Sequence, residues 1–382
     1  IVFYYSDNGG IMPRGKRYLF DEGLRVSMVV YLPPKWQHLT THKPGTVIDN
    51  PVTLMDLVPT LLSLAGQKPP AYLHGQALLG EYAAKAPKKY AFGGRNRMDE
   101  RYDLARTMTD GRYRYTRNYS PHRIYNQHVS FMFQAASYQD WEVAHRAGKL
   151  NKEQDACWNE KPYEELYDLQ SDPRSLRNRI DDPLLAAKAV EMRKAMDEHQ
   201  IAVNDNGFIP EGTLLKDFVA SRRPGAYPLK RVMALAESAC RRQASNIPTL
   251  VAALKDENEV IRYWGAQGLL MLGQAAKPAL ADIHAAANRE QSVPTRISLY
   301  EALIKLDNDR EALRGLGNIV DQDSNGAFRL QAINALDYVG ERARPVMGSI
   351  RRAAKEDHRD VRNVGEYLVD VLDGKYDPSK QP

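Results

Sequence analysis

The residues most able to do chemistry lie near the start of the chain, in the segment SDNGG at positions 6–10. An apolar run, IVFYY, precedes Asp7 and Asn8 and predicts a buried strand that ends just before them. In open α/β sheets, ligands bind at the carboxyl ends of strands. A carboxylate and a neutral amide oxygen suit Ca²⁺ or Mg²⁺, and Gly9 and Gly10 let the backbone turn sharply. Because Asp-Asn-Gly is also a common turn, this segment alone leaves a metal site and a plain turn both open.

A lysine follows this turn closely. Lys16 lies eight residues after Asn8, in RGKRYLFDEGLRV at positions 14–26. A lysine held near a divalent cation could clamp a tetrahedral anion. Arg14 could assist it, although an exposed loop arginine is the simpler interpretation of that residue.

Composition excludes some classes of protein. The chain has 382 residues, enough for two domains or more, and an ordinary apolar content of 43%. No apolar run approaches the roughly 20 residues of a membrane helix, so no membrane span is expected. The formal charge of +5 is small for this length and argues against a nucleic-acid partner.

Basic residues are concentrated at positions 95–123, which hold eight arginines against four acids, with tyrosines interleaved. A strand pair with a solvated basic face is the favoured interpretation, and a site for anionic substrates is the alternative. Cys157 and Cys240 match no metal or redox spacing and are interpreted as structural or free thiols.

Two helices are predicted in the first 222 residues. Within 53–65 the leucines at 54, 57, 61 and 64 share one face at the helical period, and Gly66 is a natural stop. Pro59 lies inside this run and predicts a kink or two short helices. The second helix is predicted at 183–199.

After residue 226 the sequence is helical throughout and repeats every 33 or 34 residues. Three sets of positions share this period: Arg262, Arg296, Arg329 and Arg362; seven residues later Leu269, Leu303, Leu336 and Val369; and ten residues later Leu272, Leu306, Val339 and Leu372. Such a period predicts stacked helix pairs, about four of them after a partial unit at 229–241. The pattern resembles HEAT-like repeats. Their surface could bind a protein or polymer partner, or the array could be a structural appendage.

The order of several blocks resembles the C-terminal half of the sulfatase family, which has the alkaline-phosphatase-like fold. The blocks are SDNGG, RGKRYLFDEGLRV, VVYLPP, PVTLMDLVPTLLSLAG and a later HG, and the resemblance extends over about residues 1–210. Residues 163–178 with the helix at 183–199 look like the closing hairpin and helix of that family. The expected fold is therefore a partial α/β sulfatase core at 1–80, a small α+β C-terminal subdomain and linker at 81–222, and an all-α HEAT-like solenoid at 226–376.

The resemblance also implies roles for individual residues. Asp7 and Asn8 match two Ca²⁺ ligands, and Lys16 matches the lysine that contacts the sulfate of the substrate. Arg14 and His74 are weaker candidates for substrate binding. Asp56 matches a position interpreted as structural, which caps or braces its helix.

The family's nucleophile, a formylglycine made within the motif C/S-x-P-x-R, has no match in the chain, since Cys157 and Cys240 stand in CWNEK and CRRQA. The sequence is therefore predicted to be the C-terminal fragment of a calcium-dependent sulfatase, inactive alone, with its formylglycine upstream. The complete protein is expected to hydrolyse sulfate esters, above all on sulfated glycans, in the periplasm or outside the cell. Two alternatives stay open: another alkaline-phosphatase-like hydrolase (a phosphodiesterase or phosphotransferase), or a non-catalytic protein that binds a glycan or partner through its repeats.

Overall fold

The computed structural model describes residues 1–223 and 225–380. The strands are β1 (Val2–Tyr5), β2 (Met28–Tyr31), β3 (Ala91–Met98), β4 (Arg101–Thr109), β5 (Tyr113–Asn118) and β6 (Glu164–Asp168). The first helices are α1 (Asp21–Leu24), α2 (Leu57–Leu64), α3 (Ser130–Phe133), α4 (Ala136–Arg146), α5 (Lys152–Asp155), α6 (Ala186–Ala202) and α7 (Phe218–Ser221). They are followed by α8 (Leu229–Cys240), α9 (Ile247–Ala253), α10 (Glu259–Leu272), α11 (Leu280–Arg289), α12 (Val293–Asp307), α13 (Arg310–Gln322), α14 (Gly326–Val339), α15 (Met347–Ala353) and α16 (Arg359–Leu372). None of the helices in the described ranges is long and apolar enough to cross a membrane.

The chain forms two compact units, each built from separate segments. The first contains Ile1–Arg95, Ala105–Arg117 and Glu164–Met196. The second contains Asn96–Leu104, Asn118–Tyr163 and Asp197–Pro382. The predicted domains were continuous segments of the chain, whereas these compact units are each assembled from three separate segments. The predicted boundaries at 1–80, 81–222 and 226–376 therefore stay predictions.

A two-stranded antiparallel sheet opens the first unit. β1 pairs with β2 in a register that runs from Val2 opposite Tyr31 to Tyr5 opposite Met28. The predicted strand is confirmed, but its predicted burial is wrong within the described chain, because Tyr4 is 75% exposed and Val29 59% exposed. A strand is buried only where other elements cover its faces, and a two-stranded sheet has little cover of its own.

A four-stranded sheet follows, in the order β3-β4-β5-β6. β6 pairs antiparallel with β5, from Tyr113 opposite Asp168 to Arg117 opposite Glu164. The prediction of a local hairpin at 163–178 is therefore wrong: the partner of β6 lies about 50 residues earlier, and residues 169–178, all described, form turns and irregular chain. The predicted helix at 183–199 is confirmed as a 3₁₀ turn at Pro183–Leu185 that continues into α6. Its apolar side forms a core with the sheet: Met108, Tyr115, Leu166, Leu185, Ala189, Met192 and Met196.

The predicted helix at 53–65 consists of a 3₁₀ turn, Leu54–Asp56, followed by α2. The prediction of two short helices is therefore confirmed. Pro59 does not cause the break between them, because it lies in the first turn of α2, where its missing N–H costs nothing. The buried face consists of Asp56, Pro59, Thr60 and Ser63, whereas Leu61 is 55% exposed. The helical period correctly identified the apolar face of α2. In the described chain, however, the buried face is the other one, which carries Pro59, Thr60 and Ser63.

The arginines of 95–123 lie on and beside β3, β4 and β5, so the predicted strands are confirmed. The predicted solvated face is wrong, because Arg95, Arg101, Arg114 and Arg117 are at most 5% exposed. In the first unit Arg114 pairs with Asp21, and in the second Arg101 pairs with Asp337. Burial is possible because acids from distant parts of the sequence neutralise these cations.

Stacked helices make up most of the second unit. Each of α8, α10, α12 and α14 packs against the helix two places further on, and each of the helices α9, α11, α13 and α15 packs against the helix that follows it. The predicted core positions are confirmed, since Leu269, Leu303 and Leu336 are at most 2% exposed. The repeated arginines brace the loops before their helices: Arg262 donates to the carbonyl of Asp256 at 3.0 Å and Arg362 to that of Glu356 at 2.8 Å. The structure thus contains stacked helix pairs, and their assignment to the HEAT-like class stays a prediction.

Candidate functional site

The turn after β1 carries the first two candidate ligands. Asp7 is exposed and Asn8 half-buried. The hydroxyl of Ser6 donates to the carbonyl of Asn8 at 2.7 Å, which stabilises the turn. The carboxylate of Asp7 forms no hydrogen bond or ion pair within the described ranges, so its oxygens are available to a ligand.

Close backbone packing shapes the loop that follows. The amide of Gly9 donates to the carbonyl of Gly23 at 3.0 Å. A Cβ on Gly9 would lie 1.7 Å from the carbonyl oxygen of Glu22, and one on Gly15 would lie 2.3 Å from that of Gly10. Only glycine fits at these two positions. The requirement at Gly15 was missed in the sequence, because it arises from a contact between two parts of one loop.

The same packing brings Lys16 to the Asp7–Asn8 turn. The amide of Lys16 donates to the carbonyl of Gly10 at 2.9 Å. The backbone of Lys16 is thus fixed beside a residue two places after Asn8, and its side chain is half-buried. Asp7, Asn8 and Lys16 therefore belong to one small loop structure, and their roles toward a metal or a substrate stay predictions.

Three arginines hold this loop within the first unit. The guanidinium of Arg14 donates to the carbonyls of Arg174 and Ser175 and lies 3.9 Å from the ring centre of Phe20. Arg95 donates to the carbonyl of Arg17 at 2.9 Å, and Arg114 pairs with Asp21. In this arrangement Arg14 stabilises the loop. Its predicted contact with substrate stays a prediction.

His74 is exposed, in a different loop of the same unit. The backbone beside it packs closely, since a Cβ on Gly75 would lie 2.0 Å from the carbonyl oxygen of Met55. No contact between His74 and Lys16 is found among the described residues. The role of His74 toward substrate therefore stays a prediction.

Asp56 is fully buried at the start of α2, and the predicted structural role is confirmed. Its carboxylate accepts from the amide of Thr53 at 2.9 Å, which completes a capping box, and from the amide of Gln76 at 2.8 Å. Lys88 donates to the same carboxylate at 2.5 Å. Because three structural partners donate to its carboxylate, Asp56 fixes the 74–76 loop to the helix.

The donor set around Asp7 is suitable for calcium but incomplete. Hard oxygen ligands are what Ca²⁺ prefers, and it takes 6–8 of them. Across 1–223 and 225–380 no group of three or more His, Cys, Asp or Glu residues is placed to hold a metal. Asp7 and Asn8 could therefore supply only part of such a site.

The segment that contains the Asp7–Asn8 turn and Lys16 is similar to known proteins. Residues 1–67 match the sulfatase family model. An ulvan-active sulfatase of Formosa agariphila is 36% identical over 216 residues, which is 56% of this chain and 35% of that protein. A second ulvan-active sulfatase of the same organism is 28% identical over 48% of this chain and 34% of its own length. This chain thus spans about a third of the length of the curated relatives it matches.

Among solved structures, a candidate sulfatase from Bacteroides thetaiotaomicron aligns with 49% of this chain and 32% of its own, at 22% identity and a TM-score of 0.32. The matched family segment contains Asp7, Asn8, Gly9, Lys16 and Asp56. It ends before His74 and before the stacked helices.

Proposed function

We propose that this chain is the C-terminal part of a calcium-dependent sulfatase that hydrolyses sulfate esters of a sulfated glycan in the periplasm or outside the cell. Lys16 contacts the sulfate in this proposal, and Asp7 and Asn8 are two of the Ca²⁺ ligands. The observation that carries it is the hydrogen bond from Lys16 to Gly10, which fixes the lysine beside the Asp7–Asn8 turn inside the segment that matches the sulfatase family.

The charges of this loop suit the reaction. Hydrolysis of a sulfate ester breaks the S–O bond and yields an alcohol and sulfate, with negative charge on the sulfate oxygens throughout. A cation held within a preorganised loop stabilises that charge without having to reorganise during the reaction. Bound Ca²⁺ would add Lewis-acid stabilisation of the same oxygens. The nucleophile, a formylglycine in this proposal, would come from sequence outside this chain.

The exposed apolar surfaces of the first unit support a larger fold. Tyr4 of β1 is 75% exposed, and Val58 and Leu61 of α2 are 53% and 55% exposed. Apolar faces of this kind mark surfaces that another element covers. In the proposed protein, the remainder of the sulfatase core covers them.

The substrate class rests on the relatives. Both curated relatives are described as ulvan-active sulfatases, and both align with about half of this chain. A sulfated polysaccharide is therefore the substrate to test first.

The test is release of inorganic sulfate from ulvan, measured by ion chromatography, with a protein that joins this chain to the rest of the sulfatase core. We expect Lys16→Ala to reduce kcat/KM at least 100-fold, and Lys43→Ala, at an exposed lysine of the same unit, to leave it unchanged. Full activity of Lys16→Ala would overturn the role of Lys16. The 382-residue chain alone is expected to release no sulfate. Release of sulfate by it would contradict the prediction that the nucleophile lies outside this chain.

A further inference from the structure

The second unit contains a cavity of about 440 Å³ that shares no residue with the candidate sulfatase site. Its lining includes Arg101, His122, Arg123, Arg146, Trp158 and Lys305, and we call it the basic aromatic cavity. The residues come from β4, the chain after β5, α4, the 3₁₀ turn after α5 and α12, and all of them belong to the second unit. A volume of this size is in the range of small-molecule sites.

The charged groups of the cavity leave a positive excess. Arg123 donates to both carboxylate oxygens of Glu301, at 2.7 and 2.6 Å, and Lys305 donates to the same carboxylate at 2.7 Å. Two cations therefore share one anion. Arg101 pairs with Asp337, and Arg146 with Glu142, one to one. The four cations thus face three carboxylates, which leaves one unneutralised positive charge in a partly buried space.

His122 lies in this positive field. Burial, and after it the charges of Arg123, Lys305, Lys161 and Arg242, hold the pKa of His122 well below its ordinary value, so its imidazole is neutral at pH 7. Both ring nitrogens are buried without a hydrogen-bond partner in the described part of the chain, and the same holds for the indole nitrogen of Trp158. Buried polar groups are rarely left unpaired. The two side chains therefore offer donors to an occupant that has acceptor oxygens.

Aromatic rings also line the cavity. The ring of Trp158 is stacked on His145 with centroids 4.6 Å apart, and His128 is stacked on Tyr367 at 4.0 Å. Stacking fixes the orientation of these rings before any ligand arrives, which lowers the cost of ordering them on binding. A sugar ring combines an apolar C–H face, which packs on such a surface, with a rim of hydroxyl groups.

We propose that the basic aromatic cavity binds one anionic sugar residue, a hexose that carries a sulfate ester or a carboxylate. The ring packs on the aromatic wall, its oxygens accept from Trp158 and His122, and the anionic group is placed against the positive excess around Arg123 and Lys305. This would be a binding site separate from the site of hydrolysis, so its test does not depend on sulfatase activity.

The experiment is isothermal titration calorimetry of the chain with four probes: glucose 6-sulfate, glucuronic acid, glucose and inorganic sulfate. We expect at least one of the two anionic sugars to bind, and glucose and inorganic sulfate to bind at least tenfold more weakly. Preference for glucose 6-sulfate identifies a sulfate-ester ligand, and preference for glucuronic acid identifies a uronate. No binding of any probe, equal binding of glucose, or equal binding of inorganic sulfate would each overturn the proposal.

Two variants test the walls separately. Trp158→Leu should weaken the anionic sugar at least tenfold, while Trp36→Leu, in the other unit, should not. Arg146→Gln removes a cation whose side chain is half-exposed, so the fold should tolerate it, and should weaken the anionic sugar at least threefold. Its control is Arg344→Gln, which removes an arginine that is equally exposed and paired with Glu341, three residues earlier, but lies outside the cavity. Unchanged affinity in both cavity variants would place the ligand elsewhere.

Discussion

The backbone amide of Lys16 donates to the carbonyl of Gly10 across 2.9 Å, and this bond fixes the lysine beside the turn that carries Asp7 and Asn8. Seven residues lie between Asn8 and Lys16, yet the loop folds back so that two parts of its backbone are hydrogen-bonded to each other. Three glycines make that possible, because a Cβ on Gly9, Gly15 or Gly23 would overlap a carbonyl oxygen. The candidate site is therefore as sensitive to these glycines as to its polar residues.

Replacement of Gly9 by alanine should disrupt the loop. The new Cβ would lie 1.7 Å from the carbonyl oxygen of Glu22, so the backbone must move and the bond to Gly23 must lengthen. We expect a loss of about 1–3 kcal/mol in the free energy of unfolding, measured by urea denaturation. Gly10→Ala is the control, since its Cβ would meet nothing closer than the side chain of Met12 at 3.8 Å. Equal losses in the two variants would argue against this packing.

Asp56→Asn should destabilise the first unit without a direct effect on catalysis. The carboxylate is fully buried and pairs with Lys88, which would be left with an uncompensated charge. Loss of one partner of a buried pair costs about 3–5 kcal/mol. Chemical denaturation should show this loss in Asp56→Asn and none in Asp49→Asn, at an exposed aspartate. A stable Asp56→Asn protein that had lost activity would instead indicate a role in the reaction.

The stability of the second unit should depend on Glu301 in a pH-dependent way. Burial alone would raise the pKa of this carboxyl, but Arg123 and Lys305 outweigh burial and lower it from 4.5 to about 2. A carboxyl whose pKa is lower in the folded than in the unfolded state stabilises the fold above its unfolded pKa, and this stabilisation disappears as the pH falls through the folded value.

Glu301→Gln should therefore be less stable than the parent chain at pH 7, and the difference should shrink between about pH 4.5 and about pH 2. Thermal unfolding over that range measures it. Glu311→Gln, at a side chain that is 88% exposed, should follow the parent chain at every pH. A difference that stayed constant from pH 7 to pH 2 would show that the pKa of Glu301 is the same in the folded and unfolded chains and is not lowered by Arg123 and Lys305.

Calcium should bind this chain only weakly. Asp7 and Asn8 supply few of the 6–8 oxygens that Ca²⁺ takes, so we expect a Kd in the millimolar range or above by calorimetry. In the larger protein that we propose, chelation should abolish sulfate release and Asp7→Asn should raise the Ca²⁺ concentration needed to restore it. Micromolar binding by the chain alone would mean that its ligand set is larger than two residues.

Several features could be predicted from local sequence because they depend on neighbours along the chain. The turn at Asp7–Asn8 follows from Asp-Asn-Gly-Gly after an apolar run. The helical repeats follow from a period that puts Leu269, Leu303 and Leu336 at equivalent, buried positions. The structural role of Asp56, which the sulfatase resemblance implied, also has a local signal, because Thr53 stands three residues before it in a capping box. The turn and the cap are signals within one or two turns of backbone, and the repeat is a pattern that recurs along the chain and needs no knowledge of distant contacts.

The tertiary structure alone decided which surfaces and charges are buried. The period of 53–65 identified an apolar face of α2, but the described fold buries the face of Asp56, Thr60 and Ser63, since those side chains accept from the backbone of 76–82. Arg123 was predicted to lie on a solvated face. In the structure it is paired with Glu301, which lies 178 residues further along the chain. Ion pairs and cavities depend on which distant residues meet, and short-range spacing carries no information about that.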